Sequence, residues 1–247
     1  MFSVPEGSVL PPDHPASITV KSIGERLCRD IPKDLIPAEN IPSSFTFTVV
    51  KNDTPNAFAL PPNHCVVFTG LFKFARTEDE LAAIIAHEIS HVICRHSGEK
   101  LTDFGLGSVM GASIDLFLGG GFGGLIGAAR RIGWDLPNSR TMETEADFVG
   151  IHLLNAACFD VAKAPEVFKR MENEMSSEGG SLPSFMSTHP TYDDRVKKLE
   201  KWGKEVKVGM NVGEDKCDSI REDWRAVMDD RIRRLEERRR RVVEKML

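Results

Sequence analysis

The stretch 77–95 constrains this chain more than any other. Thr77 with Glu80 three residues on forms a capping box that opens a helix. Leu81, Ile85, Ile89 and Val92 then recur on one side of it and are expected to face a core. The same helix carries His87-Glu88-Ile89-Ser90-His91. Imidazoles four residues apart share a face, one turn apart, so both can reach a single metal ion. Glu88 would then stand beside a metal-bound water rather than on the metal.

Five residues make a short motif that also arises by chance, so the weight falls on a third ligand. A catalytic zinc takes three protein ligands and leaves its fourth position to water. Glu143-Thr144-Glu145-Ala146-Asp147 offers three acids on an expected helix, 141–158. Glu143 and Asp147 share a face of that helix, whereas Glu145 points elsewhere. This favours Glu143 as the third ligand and sets Asp147 to accept a hydrogen bond from a ligand histidine's other ring N–H. A solvated acidic face is the plainer reading of these residues, and it loses weight only beside HEISH.

His96 and His152 fall about half a helical revolution from the nearest ligand position and are expected outside the site. His14 and His64 have no metal-type spacing. His189 precedes a proline-started helix. It reads either as a structural histidine or as a group that a loop could carry to the metal.

Around these motifs the pattern is α+β, mainly helical with a small β-sheet. Residues 44–50 alternate at period two and read as a strand, 65–69 as another. Between them 56–60 is framed by Pro55 and Pro61, which suits an edge strand. Further helices are expected around 23–28, over 164–175, from 193 to 202, and from 220 to the end. With 247 residues the chain can bury one core, here 17–205, with an extended lead-in at 1–16 and a helical arm at 206–247.

Composition adds exclusions. A net charge of −5 argues against a general nucleic-acid binder. The five cysteines are scattered, odd in number and form no CxxC pair. They read as small buried hydrophobes rather than a disulfide framework or a thiolate zinc site. The N-terminus has neither a signal-peptide core nor an Arg-rich presequence, so no targeting segment is visible. The glycine-rich run 104–129 is long enough to span a bilayer, but Asp115 near its middle would cost about 2.5–3.5 kcal/mol there. It stays open between membrane contact and a mobile or protein-packed loop. The basic run 238–241 reads as a solvated helix face.

HEISH, then SRTMETEAD (139–147), then STHPTYDDRV (187–196) stand in the order of the Ste24-like, or CAAX-prenyl-protease-like, zinc metallopeptidases. Asn56-Ala57-Phe58 also resembles that family's strand just ahead of its motif helix. The text LPNSRTMETEADFVGIHLLNAACFD (136–160) is similar to the family's mitochondrial inner-membrane members. The resemblance covers about 20–205. It implies a zincin-type fold with one Zn2+ on His87, His91 and Glu143, Glu88 as the catalytic acid/base, and Asp147 behind the ligands. It also implies a histidine, here His189, that approaches the metal and blocks or tunes it. His189 or Arg195 could support the tetrahedral intermediate, and nothing in the sequence chooses between them. Substrate would add as a strand along Asn56, Ala57 and Phe58.

The function implied is a metalloendopeptidase of mitochondrial inner-membrane protein quality control. Its substrates would be membrane-associated or misfolded polypeptides, and an oligomer is compatible with it. The chain departs from those members in lacking a visible transit peptide and N-terminal membrane segment. The rivals are a catalytically silent, chaperone-like zinc-binding relative and a non-peptidase zinc hydrolase. Intact Glu88 argues against the first, because a structural site has no use for a base.

Overall fold

The structure, a computed structural model, describes residues 8–29, 31–32, 36, 38–60, 63–97, 139–177, 185, 189, 194–209, 217 and 233. The expectations for 104–129 and 238–241, and most of those for the arm 206–247 and the helix from 220, lie outside them.

Three strands, β1 (Thr46–Val50), β2 (Ala57–Leu60) and β3 (His64–Phe68), form one sheet in the order β1-β3-β2. β3 runs parallel to β1 and antiparallel to β2, with Val49 opposite Val67 and Phe58 opposite Val66. β2 therefore takes an edge, as its flanking prolines imply. The first described residues are already docked: Val9 bridges Val50, and Leu10 N–H donates to Val49 O at 2.9 Å.

Helix α1 (Pro15–Arg29) starts earlier than the sequence pattern suggests. His14 opens it, its Nδ1 accepting from Ala16 N–H at 3.2 Å. The sheet meets α1 at Gly24, where any Cβ would fall within 2.6 Å of the Phe47 ring. Only glycine gives the ring that space.

Helix α2 (Glu78–Ile93) is the motif helix. Thr77 caps it, accepting from Glu80 N–H at 3.2 Å, and Glu78, Asp79 and Glu80 place negative charge on its first turn. The expected one-sided stripe proves too narrow a reading. Helix α2 packs against α1, the sheet, α3 (Arg140–Ala156) and α4 (Lys163–Ser177), so every residue from Glu80 to His91 is buried. Val92 is only half-buried, and Ile93 beside it takes the core position. Fully buried Ile84, Ile85 and Ile89 each contribute about 1.5–3 kcal/mol of burial free energy.

Helix α3 begins on Ser139, whose side chain accepts from Met142 N–H. It ends in a left-handed turn at Cys158, φ 58°, with Phe159 N–H donating back to Leu154 O. Arg26 of α1 caps that end, donating to Ala157 O at 2.7 Å and Cys158 O at 2.9 Å. Helix α5 (Arg195–Gly209) closes against α3 and α4.

The cysteine expectation needs correction. Cys158 and Cys217 form a disulfide, with Cα atoms 5.2 Å apart and a sequence separation of 59. Sequence spacing cannot reveal an approach made by the fold, and only Cys28, Cys65 and Cys94 are free thiols.

Candidate metal centre

The four-residue spacing on α2 does what helix geometry requires: His87 Nε2 and His91 Nε2 lie 3.1 Å apart. Glu143, on the first turn of α3, reaches both rings. Its oxygens are 3.3 Å from His87 Nε2 and 3.4 Å from His91 Nε2. His189 completes the group, with Nδ1 3.2 Å from His87 Nε2 and 3.0 Å from Glu143 Oε1. All four side chains are buried.

These separations test a metal directly. A tetrahedral zinc with bonds of about 2.0–2.1 Å spaces its ligand atoms about 3.3–3.4 Å apart along each edge. Five contacts of 3.0–3.4 Å, two between imidazole nitrogens and three from imidazole nitrogens to carboxylate oxygens, match such a shell. The donor chemistry fits as well, so these residues can hold a metal ion.

Glu88 is buried beside the group, with Oε1 3.3 Å from His189 Nε2. Ala59 N–H of the edge strand donates to the same carboxylate. Burial raises the Glu88 pKa, only partly opposed by His189 and His87. Burial also works against a charged His87, yet Glu143 and Asp147 outweigh it and lift that ring to about 9. His91 goes the other way, well below the usual histidine value, because burial is reinforced by its histidine neighbours. Burial resists charge on Glu143 too, but His189 and His87 overcome it and hold the carboxyl well below its normal range.

Behind the donors, Asp147 Oδ1 lies 2.9 Å from His87 Nδ1, the position expected from its shared face with Glu143. Arg195 approaches the same group, its Nη2 3.8 Å from Glu143 Oε2. Its Nε and Nη2 donate to the two Asp147 oxygens, both at 2.9 Å, and its guanidinium lies 4.2 Å over the Phe168 ring. Phe185 stacks on His189 at 4.6 Å between ring centres.

The strand residues Asn56, Ala57 and Phe58 are all buried, while Ala59 and Leu60 are half-buried. His14, His64 and His152 stand apart from the donors. His64 meets Thr48 Oγ1, and His152 packs edge-on to Phe148.

His96 stands outside the donor group, as its offset implies, but its contact was not legible in the sequence. Its Nδ1 lies 2.7 Å from His91 Nδ1. The half-revolution argument assumed that the helix continued. Instead α2 ends at Ile93 and Arg95 turns left-handed, φ 59°, which folds His96 back onto His91. Glu145, correctly expected to face away from the donors, meets His96 Nε2 at 3.3 Å.

The model of a family described as Peptidase family M48 matches residues 20–203. The chain is 34% identical over 220 residues to the Mitochondrial metalloendopeptidase OMA1 of Schizosaccharomyces pombe, covering 87% of this chain and 60% of that one. Against the Saccharomyces cerevisiae protein of the same name the figures are 31% over 205 residues, 78% and 58%. The Beta-barrel assembly-enhancing protease of Yersinia pestis is 32% identical over 189 residues, 72% of this chain and 37% of that one. The chain thus spans about 60% or less of the length of these relatives.

Proposed function

The chain belongs to peptidase family M48, and on that footing we propose that it is a zinc-dependent metalloendopeptidase with Glu88 as its general base. The observation that carries this reading is the donor shell at tetrahedral spacing with a buried carboxylate beside it. His87, His91 and Glu143 would hold the zinc. When bound, it would polarise the scissile carbonyl and acidify the attacking water. Glu88 takes that water's proton as the carbonyl is attacked and delivers it to the departing amine. Asp147, clamped by Arg195, orients the His87 ring. A substrate polypeptide pairs along β2, where Ala59 and Leu60 are the half-buried part of the strand.

His189 gives the proposal a resting state. With Nδ1 beside the other donors and Nε2 facing Glu88, it would occupy the place of the reacting water. Activity then requires His189 to withdraw.

Because the yeast relatives are named as mitochondrial enzymes, a mitochondrial location is part of this reading; the inner membrane rests on the resemblance of residues 136–160 alone. Membrane-associated or misfolded polypeptides are then its substrates. Among the described residues no helix is long and apolar enough to cross a membrane.

Glu88→Gln tests the reading. It removes the base and spares the ligands, so zinc content should hold while cleavage of an unfolded test protein falls by on the order of 10²–10⁴. Cleavage within a few-fold of wild type would refute Glu88's role. Zinc bound by a wild-type protein that never cleaves would favour the silent, chaperone-like alternative.

A further inference from the structure

The metal-facing atom of His91 is Nε2, 3.1 Å from His87 Nε2 and 3.4 Å from Glu143. A neutral imidazole that gives a lone pair from Nε2 must carry its proton on Nδ1. That Nδ1 lies 2.7 Å from His96 Nδ1, a hydrogen-bond distance that holds one proton between two ring nitrogens. If His91 supplies the proton, His96 must present Nδ1 as an acceptor and carry its own proton on Nε2. His96 Nε2 lies 3.3 Å from Glu145 Oε2, and an ionised carboxylate can only accept. The chain of bonds is therefore set from its outer end. Glu145 selects the His96 tautomer, and His96 selects the tautomer that His91 needs.

The backbone is arranged for this contact. Arg95 adopts a left-handed conformation although it has a side chain, and donates to Glu39 O at 2.9 Å. That turn lets His96, 1% exposed, fold back beneath the last turn of α2.

We propose that His96 and Glu145 are positioning residues that hold His91 in its metal-ligating tautomer and orientation. This rests on the metal assignment of the preceding section. Wild type is therefore measured first: a wild-type chain that takes up no zinc sinks that assignment, whereas the comparisons below address only His96 and Glu145.

The test uses zinc affinity by chelator competition, the visible spectrum with Co2+ in place of zinc, and the melting temperature. His96→Ala should weaken zinc binding by about 10–100-fold and shift the cobalt bands. His96→Asn supplies Oδ1, an acceptor regardless of tautomer, and should restore affinity to within a few-fold of wild type. Glu145→Ala should weaken zinc by only a few-fold, because His96 can still accept after its proton turns to solvent. Wild-type affinity and spectrum in His96→Ala would overturn the proposal. So would a His96→Asn chain that is folded by melting but binds as weakly as His96→Ala. Unchanged affinity in Glu145→Ala would remove Glu145 from it.

Cys94, His96 and Glu145 also place ligand atoms within 4.8 Å of one another. A second ion on His96 Nε2 would push the ring proton to Nδ1 and turn His91 to the wrong tautomer. One zinc per chain supports the relay. A second equivalent that Cys94→Ser abolishes would overturn it.

Discussion

The two histidines of the motif are held from behind in opposite ways. His87 leans on Asp147, which Arg195 grips with two hydrogen bonds, and the whole clamp is 2% exposed or less. His91 leans on a second imidazole, which leads to Glu145, a side chain 53% exposed. The first support is ionic and sealed inside the protein. The second passes through an imidazole–imidazole hydrogen bond to a carboxylate that stands in solvent. A buried ion pair gains little over an apolar pair but is costly to break, because one partner is left charged and dry. A support that ends at the surface loses less when cut, since water can replace the missing partner. On the proposed metal assignment, His87 therefore has the more deeply buried support and His91 the more exposed one.

Asp147→Ala breaks the sealed side and should have the largest effect. It removes both oxygens that Arg195 grips, leaving Glu143 Oε2 at 3.8 Å from Nη2, and takes away the acceptor facing His87 Nδ1. Stability should fall by about 3–5 kcal/mol, and zinc affinity by about 10–100-fold. Chemical denaturation with zinc chelated separates the two, since the stability loss should persist without metal. A loss below about 1 kcal/mol in the metal-free protein would show that the clamp is not the stronger support.

His189 belongs to neither side, because it meets the donors through Nδ1 and Glu88 through Nε2. His189→Ala should bind zinc nearly as well and raise turnover of a flexible substrate by on the order of tenfold, since it clears the water's position. Turnover slowed by on the order of 10²-fold would instead assign His189 to the tetrahedral intermediate. Unchanged turnover per bound zinc with a lowered melting temperature would leave it a structural residue.

This contrast also marks how far the sequence could be read. Three strands, the capped motif helix and the pairing of Glu143 with Asp147 were all legible, because each depends on local periodicity or on helix phase. Arg195 beside Asp147 was not, since 48 residues separate them and only the docking of α5 on α3 joins them. The contact of His96 with His91 was missed because phase counting has no term for a left-handed residue at Arg95. A histidine five residues past the motif, just beyond the helix's end, was the available signal. The Cys158–Cys217 bridge was hidden for the same reason as Arg195.

The smallest predicted effect isolates what a buried Arg–carboxylate pair does away from any metal. Glu80, on the first turn of α2, accepts from Arg170 at 2.8 and 2.9 Å and from Arg76 N–H at 2.6 Å. Arg170 also donates to Phe74 O, so the pair ties α4 to the start of the motif helix. Glu80 resembles Asp147 in burial and partner but touches no histidine of the site. The Arg170 hydrogen bonds lower its pKa against the opposing effect of burial. A carboxyl with a lowered folded-state pKa adds stability that is present above its unfolded value, about 4.3. That contribution is lost as pH falls through the folded value. Glu80→Gln keeps the shape and an acceptor for Arg76, and should cost about 1 kcal/mol at pH 7. The gap between wild type and variant should then narrow steadily from pH 5 downward, with zinc affinity at pH 7 unmoved. Denaturation curves across that range check the sign. A gap that widened in acid would mean that burial, not Arg170, governs Glu80. A change in zinc affinity would mean that the α2–α4 tie reaches the donors, and the contrast between the two histidine supports would need a third member.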